Sequence, residues 1–219
     1  TLGYHSNIEP KADVVKWVQV DLGAAREIEQ IILFPSHEAY AGYPGPGFGF
    51  PVRFKLEACD DAAFGKDVTV VADRTAADVP NPGNAPQVFA PEKPITARYV
   101  RLTATKLWER TNDFALAVSE LAVLGGGENL AAGKSVTALD SIEAGASWGR
   151  KHLVDGFFGT TSFELAAKGT SNSPSNGYHS AIMPAADHEK WVQIDLGEST
   201  PLDEIVLIPA RPVDFADTP

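Results

Sequence analysis

The sequence predicts an all-β fold, a sandwich or a barrel of short strands. Three observations carry that prediction. Several segments alternate apolar and polar residues with the period of two that a half-buried strand requires. Gly, Pro, Asn and Asp gather between them, as in GYPGPGFGFP at 42–51 and VPNPGNAP at 79–86, where turns need those residues. No long stretch repeats apolar residues at helical spacing.

The strands follow in order. In WVQVDLG, Val18, Val20 and Leu22 share one face and Trp17, Gln19 and Asp21 the other. IEQIILFP is a second strand, ended by Pro35. Phe54, Leu56 and Ala58 alternate with Arg53, Lys55 and Glu57. In residues 97–105, Val100, Leu102 and Ala104 stand opposite Tyr99, Arg101 and Thr103. Residues 116–124 and 135–139 complete the set.

Composition narrows the function classes. At about 150 residues per domain, 219 residues make roughly one and a half domains. Hydrophobic residues are 44% and charged residues 21%, which excludes a disordered or collagen-like chain. No apolar run approaches the roughly 18 residues of a membrane helix. Cys59 is the single cysteine, so an internal disulfide framework and a cysteine-rich metal site are excluded. The net charge is −11, with no Lys/Arg cluster to neutralise phosphates, so nucleic acid is an unsuitable partner. An anionic membrane surface is unfavourable for the same reason. The first residue is Thr1, with no Met and no signal peptide, which reads as a fragment or a processed product.

An internal repeat organises the chain. Residues 3–35 and 177–209 align without a gap and are identical at 18 of 33 positions. After the first copy the chain runs on to about residue 125. About 50 residues, from roughly Glu128 to Asn176, precede the second copy. Residues 1–126 are therefore expected to be the C-terminal portion of one unit, and residues 127–219 the N-terminal portion of the next. The seam is Gly125, Gly126 and Gly127, a flexible joint.

The ordered series NLAAGKSVTA, LVDG, GYHS, WVQIDLG, FPVRFKLEACDD, ARYVRL and VSELAVL resembles the discoidin domains, also called coagulation-factor (F5/8) type C domains. These are similar to the family 32 carbohydrate-binding modules of secreted bacterial enzymes. The resemblance implies an antiparallel, galactose-binding-like jelly-roll sandwich of eight strands with adjacent termini, present here as two incomplete tandem copies. Tyr4 and Tyr178 stand where the family usually carries Trp. Because the termini adjoin, residues 128–176 have two ways to complete residues 1–124. They fold back as a permuted sandwich, or they swap between two chains as a domain-swapped homodimer. The favoured arrangement is a piece of a larger tandem array, secreted or in the bacterial cell envelope, joined to other domains of a longer parent chain.

The resemblance also implies sites. Asp155, Gly156, Thr160 and Glu120 match the family's calcium ligands, oxygen donors suited to a hard cation. Such a Ca2+ would be structural and would need both portions to meet. A sugar site needs an aromatic platform and a few planar polar groups. KLWERTNDF at 106–114 offers Trp108, Glu109, Arg110, Asn112 and Asp113 on one loop, and His37, Tyr40 and Tyr43 form a second stretch. Arg forks onto two hydroxyls, and Asn both donates and accepts. Exposure of Trp108 beside Arg110 and Asn112 separates a carbohydrate-binding module from a purely structural or protein-interaction module.

Other residues read as structural. Trp17 and Trp191 are expected to pack in core or edge, Tyr4 and Tyr178 in the core. Arg101 matches the family's strand-tying arginine. His5 and His179 recur in both copies, as structural histidines do. His188-Glu189 is not H-E-x-x-H. Cys59, flanked by acids, has a thiol shifted away from nucleophilic use. With no catalytic motif in the chain, the expected function is non-catalytic: tethering an enzyme to polysaccharide.

Overall fold

The computed structural model describes residues 1–38, 45–145, 147–157, 178–201 and 205. In chain order its strands are β1 (Tyr4–His5), β2 (Lys16–Ile28), β3 (Gln30–Phe34), β4 (Ser36–His37), β5 (Pro46–Phe48), β6 (Arg53–Cys59), β7 (Thr69–Arg74) and β8 (Gln87–Phe89). They continue with β9 (Ile95–Lys106), β10 (Trp108–Glu109), β11 (Phe114–Ala115), β12 (Ala117–Val118), β13 (Glu120–Gly125), β14 (Glu128–Asn129) and β15 (Ser135–Ala138). A 3-10 turn, Arg150–Val154, follows.

Two antiparallel sheets face each other. One runs β15-β2-β9-β6-β7 and the other β14-β13-β3-β8. Among the described residues they hold nine strands, the two-residue β14 that pairs with β13 included. Inward residues alternate as read from the sequence. Val18, Val20, Leu56, Val100 and Leu102 from the first sheet meet Ile31, Leu33, Leu121 and Val123 from the second in one buried core. Each such side chain contributes about 1.5–3 kcal/mol by leaving water.

The sequence downstream of the glycine seam packs on the sequence upstream of it. Ser135, Val136, Thr137 and Ala138 pair with Asp21, Val20, Gln19 and Val18. The Leu2 amide donates to the Ser147 carbonyl (2.7 Å) and the Gly149 amide to the Gly3 carbonyl (3.0 Å). Gly3 has φ +104°, and a Cβ there would stand 2.2 Å from the Val118 carbonyl oxygen, so no other residue fits. Tyr4 is fully buried and its hydroxyl donates to the Asp140 carbonyl (3.0 Å). Burial drives its phenol far above the ordinary value, with Asp140 adding to the shift and Arg150 opposing it. Lys16, 2% exposed, is bound by both Glu9 and Asp140. Burial opposes its charge, but the bonds to Asp140 and Glu9 outweigh burial and raise its pKa.

Arg101 ties β9 to β2, as the family resemblance implies, and Trp17 packs against it. The Arg101 guanidinium lies 4.5 Å from the Trp17 ring centroid and 3.9 Å from that of Phe64. It donates to Gln19 Oε1 (Nε 3.0 Å, Nη2 2.6 Å). Cys59 is buried; burial first, then nearby Asp61 and Asp60, push its thiol pKa up, against a bond to the Asp61 backbone.

The second copy corrects two expectations. Trp191 is 75% exposed and Tyr178 63%, not packed. Residues 178–201 form no strand, and Tyr178 is not held in the core as Tyr4 is, nor Trp191 half-buried in a strand as Trp17 is.

Candidate ligand-binding site

Three two-stranded ribbons gather beside the sheets: β1 with β12, β4 with β5, and β10 with β11. Trp148 joins them through its bridges to Gly3 and Ala144. Their apolar side chains form a second, smaller cluster of Phe48, Trp108, Ala117 and Trp148. The Phe48 ring centroid lies 5.0 Å from Trp108 and 5.9 Å from Trp148. His5 meets Trp148 edge-on at 5.0 Å and Phe48 at 5.7 Å. These tilted and edge-on geometries are the favoured ones for aromatic pairs.

Polar groups border this cluster. Arg110 forks onto Asp113, Nε to Oδ1 at 2.9 Å and Nη2 to Oδ2 at 2.7 Å. The Arg110 amide also donates to the Asp113 carbonyl (2.8 Å). Asn112 closes the ribbon with φ +62°, a left-handed conformation that Asn tolerates. The guanidinium's bonds hold the Asp113 carboxyl below its usual range. His5 Nδ1 meets the Ser6 carbonyl at 2.6 Å, which puts the ring proton on Nδ1 and makes Nε2 the acceptor. Burial lowers the His5 pKa, with the Ser6 bond opposing. Glu38 is shifted upward by burial, against the opposing effects of a Trp148 bond and the Arg110 charge. The arrangement sets a cation, two carboxyls and an imidazole beside three aromatic rings that are themselves buried.

The predicted residues fall unevenly on this site. Trp108 and Arg110 are within it. Trp108 is only 8% exposed, so the expectation of an open platform fails: Phe48 covers the ring. Asn112 is exposed at the ribbon tip. His37 is half-buried, with Nδ1 3.0 Å from Asn84 Oδ1. Tyr40 and Tyr43 lie outside the described residues. Sequence reasoning missed Glu38, Phe48 and Trp148, and read His5 as structural only. The duplicated GYHS was the signal available for His5.

Of the expected calcium residues, Asp155, Gly156 and Glu120 lie at another corner. Asp155 caps the Arg150–Val154 turn. The Gly156 amide donates to Glu120 Oε1 (3.2 Å) and the Phe157 amide to Asp155 Oδ1 (3.1 Å). His152 Nδ1 lies 2.8 Å from Asp155 Oδ2. Thr160 lies outside the described residues. Glu120 is buried, and the Asp155 and Glu120 carboxyls, which accept the neighbouring Phe157 and Gly156 amides, are of the oxygen type a hard cation prefers. Among the described residues no three acidic, His or Cys side chains cluster closely enough to hold a metal themselves.

The chain belongs to the F5/8 type C domain family, whose model matches residues 3–119. It is similar to a family 32 carbohydrate-binding module of C. perfringens solved with galactose, at 19% identity over 54% of this chain and 73% of that one, TM-score 0.39. It is also similar to a module from a family 31 glycoside hydrolase of Clostridium perfringens, at 23% identity, 55% and 73% coverage, TM-score 0.40. A chitosan-binding module from Paenibacillus sp. IK-5 shows 18% identity, 52% and 73% coverage, TM-score 0.36. Among curated proteins none matches. No helix among the described residues is long and apolar enough to cross a membrane.

Proposed function

We propose that the chain is a non-catalytic carbohydrate-binding module of a secreted bacterial protein, tethering a catalytic domain to glycan. One observation carries the reading. Arg110, Asp113 and Glu38, all half-buried, and the exposed Asn112 stand at the edge of the Phe48, Trp108 and Trp148 cluster, so directional hydrogen-bonding groups adjoin an apolar base. Sugars need both, because each hydroxyl is directional and the C–H face of the ring is apolar. A structural calcium at Asp155, Gly156 and Glu120 belongs to the same reading. It would tie the two portions of the chain together.

A glycan array with and without calcium, followed by affinity electrophoresis, tests the proposal. Wild-type protein is retarded on the matching glycan. Arg110→Ala abolishes the retardation while melting as wild type does. Equal mobility of both proteins across a broad panel would sink the idea.

A structural or protein-interaction module is the second reading, and the burial of Trp108 favours it. Trp108→Ala separates the two. A drop in melting temperature with sugar retention unchanged supports the structural role.

A further inference from the structure

Residues 178–201 present an apolar surface that has a matching place elsewhere in the same chain. Ile182, Trp191, Val192, Ile194 and Leu196 are all more than half exposed. At an offset of 174 they correspond to Ile8, Trp17, Val18, Val20 and Leu22. Of these, Val18, Val20 and Leu22 lie in the core. We propose that residues 178–201 are a second occupant for the slot that residues 4–27 fill between β15 and β9, and that the chain exchanges one for the other within itself.

The slot's specific contacts are met by both copies. Asp140, which binds Lys16, finds Lys190 at the equivalent position. Arg98 forks onto Asp21 (2.8 and 2.9 Å) and finds Asp195. Arg101 bonds Gln19 and finds Gln193. The Asp-x-Gly turn is already formed in both copies: Gly23 donates to Asp21 and Gly197 to Asp195, each at 2.8 Å. The second copy thus carries the charges, the apolar spacing and the turn that the slot selects.

Three differences make the first copy the major occupant. Met183 replaces Glu9, removing one partner of the buried lysine. Ile194 adds a methylene at the fully buried Val20 position. Pro201 replaces Glu27 and removes a backbone donor. Reach is no obstacle. The 23 residues between Val154 and Tyr178 extend to roughly 75 Å. The whole of β2, 13 residues long, spans about 43 Å. A linked segment also acts at an effective concentration that a separate chain does not match at ordinary dilution.

Competitive crosslinking tests the exchange. In a Cys59→Ser background, Thr137→Cys, Gln19→Cys and Gln193→Cys are combined. Thr137 and Gln19 are register partners. After oxidation in native buffer, mass spectrometry reads which linkage formed. The expected result is a major link between positions 19 and 137 and a minor intramolecular link between 193 and 137. Adding Val20→Asp should shift their ratio at least tenfold toward 193–137, and adding Ile194→Asp should remove the minor link. Absence of the 193–137 link even with Val20→Asp would overturn the proposal. So would its formation only as a covalent dimer. Melting gives a second readout without the added cysteines. Val20→Asp alone should still melt cooperatively, whereas Val20→Asp with Ile194→Asp should not. Equal loss of the transition in both counts against exchange.

Discussion

Residues 4–27 and 178–201 are identical at 14 of 24 positions, yet one lies in the middle of a sheet and the other in water. Their local geometry is alike. His5 and His179 both place Nδ1 2.6 Å from the carbonyl of the following serine. Gly23 and Gly197 both adopt positive φ, +87° and +81°. The β-strand itself is present only in the first copy. Short-range bonds follow from neighbouring residues, whereas a strand needs a ladder on which to pair. The buried Val20 and the exposed Ile194 differ in surroundings far more than in chemistry.

That contrast can be broken most severely from the slot's side. Leu102→Ala empties a fully buried position that serves whichever copy is docked, so neither copy compensates. A loss of about 2–5 kcal/mol is expected from urea unfolding. Asp140→Ala leaves the buried Lys16 ammonium with Glu9 alone. It should cost roughly 1–3 kcal/mol, less than losing every partner, while Lys190→Ala stays within about 0.5 kcal/mol. The sign with pH is fixed by the raised Lys16 pKa. Its contribution is complete below the unfolded value of about 10.4 and is lost as pH climbs through the folded value. Wild-type melting temperature should therefore fall in that alkaline window more steeply than that of Asp140→Ala.

A gentler contrast compares Asp21→Asn with Asp195→Asn. Bonds to Arg98 chiefly lower the Asp21 pKa, against a smaller burial effect. Its contribution is present above about pH 3.9 and disappears as pH falls through the lower folded value. The pair is half-exposed, so screening keeps it below about 1 kcal/mol. Asp21→Asn should flatten that acid slope, and Asp195→Asn should leave the curve as it is. The smallest effect belongs to Trp191→Ser. Stability should stay within about 0.5 kcal/mol, while light scattering should show less self-association as the exposed apolar surface shrinks.

Much of the fold was legible where one face is buried and the other wet. β2, β6 and β9 carry that alternation over at least five residues, so their core faces could be read directly, whereas β13 is buried on both faces from Glu120 to Val123. β7 could not, because Ala72 is its one buried residue and an edge strand leaves little pattern. The ribbons β1, β4, β5, β10, β11 and β12 are two or three residues long and exist through their tertiary partners. The site divides on the same line. Trp108 and Arg110 were visible within one stretch of chain. The covering of Trp108 by Phe48 and the approach of Trp148 to His5 join segments far apart in sequence, and no local pattern encodes such meetings. That Arg110 would fork onto Asp113 depends on the left-handed turn at Asn112, which a reading of residue types alone did not supply.

The pairing of β15 with β2 also sets a timetable. Residues 4–27 leave the ribosome first, and β9 is available to them once residue 106 is clear. Their other edge stays open until residue 138 emerges, 32 residues later, which takes roughly 2–6 s at ordinary synthesis rates. When residues 178–201 emerge, that edge is already closed. The earlier copy thus arrives at a vacant seat and the later one at a taken seat, so order of birth adds a kinetic preference to whatever preference equilibrium supplies.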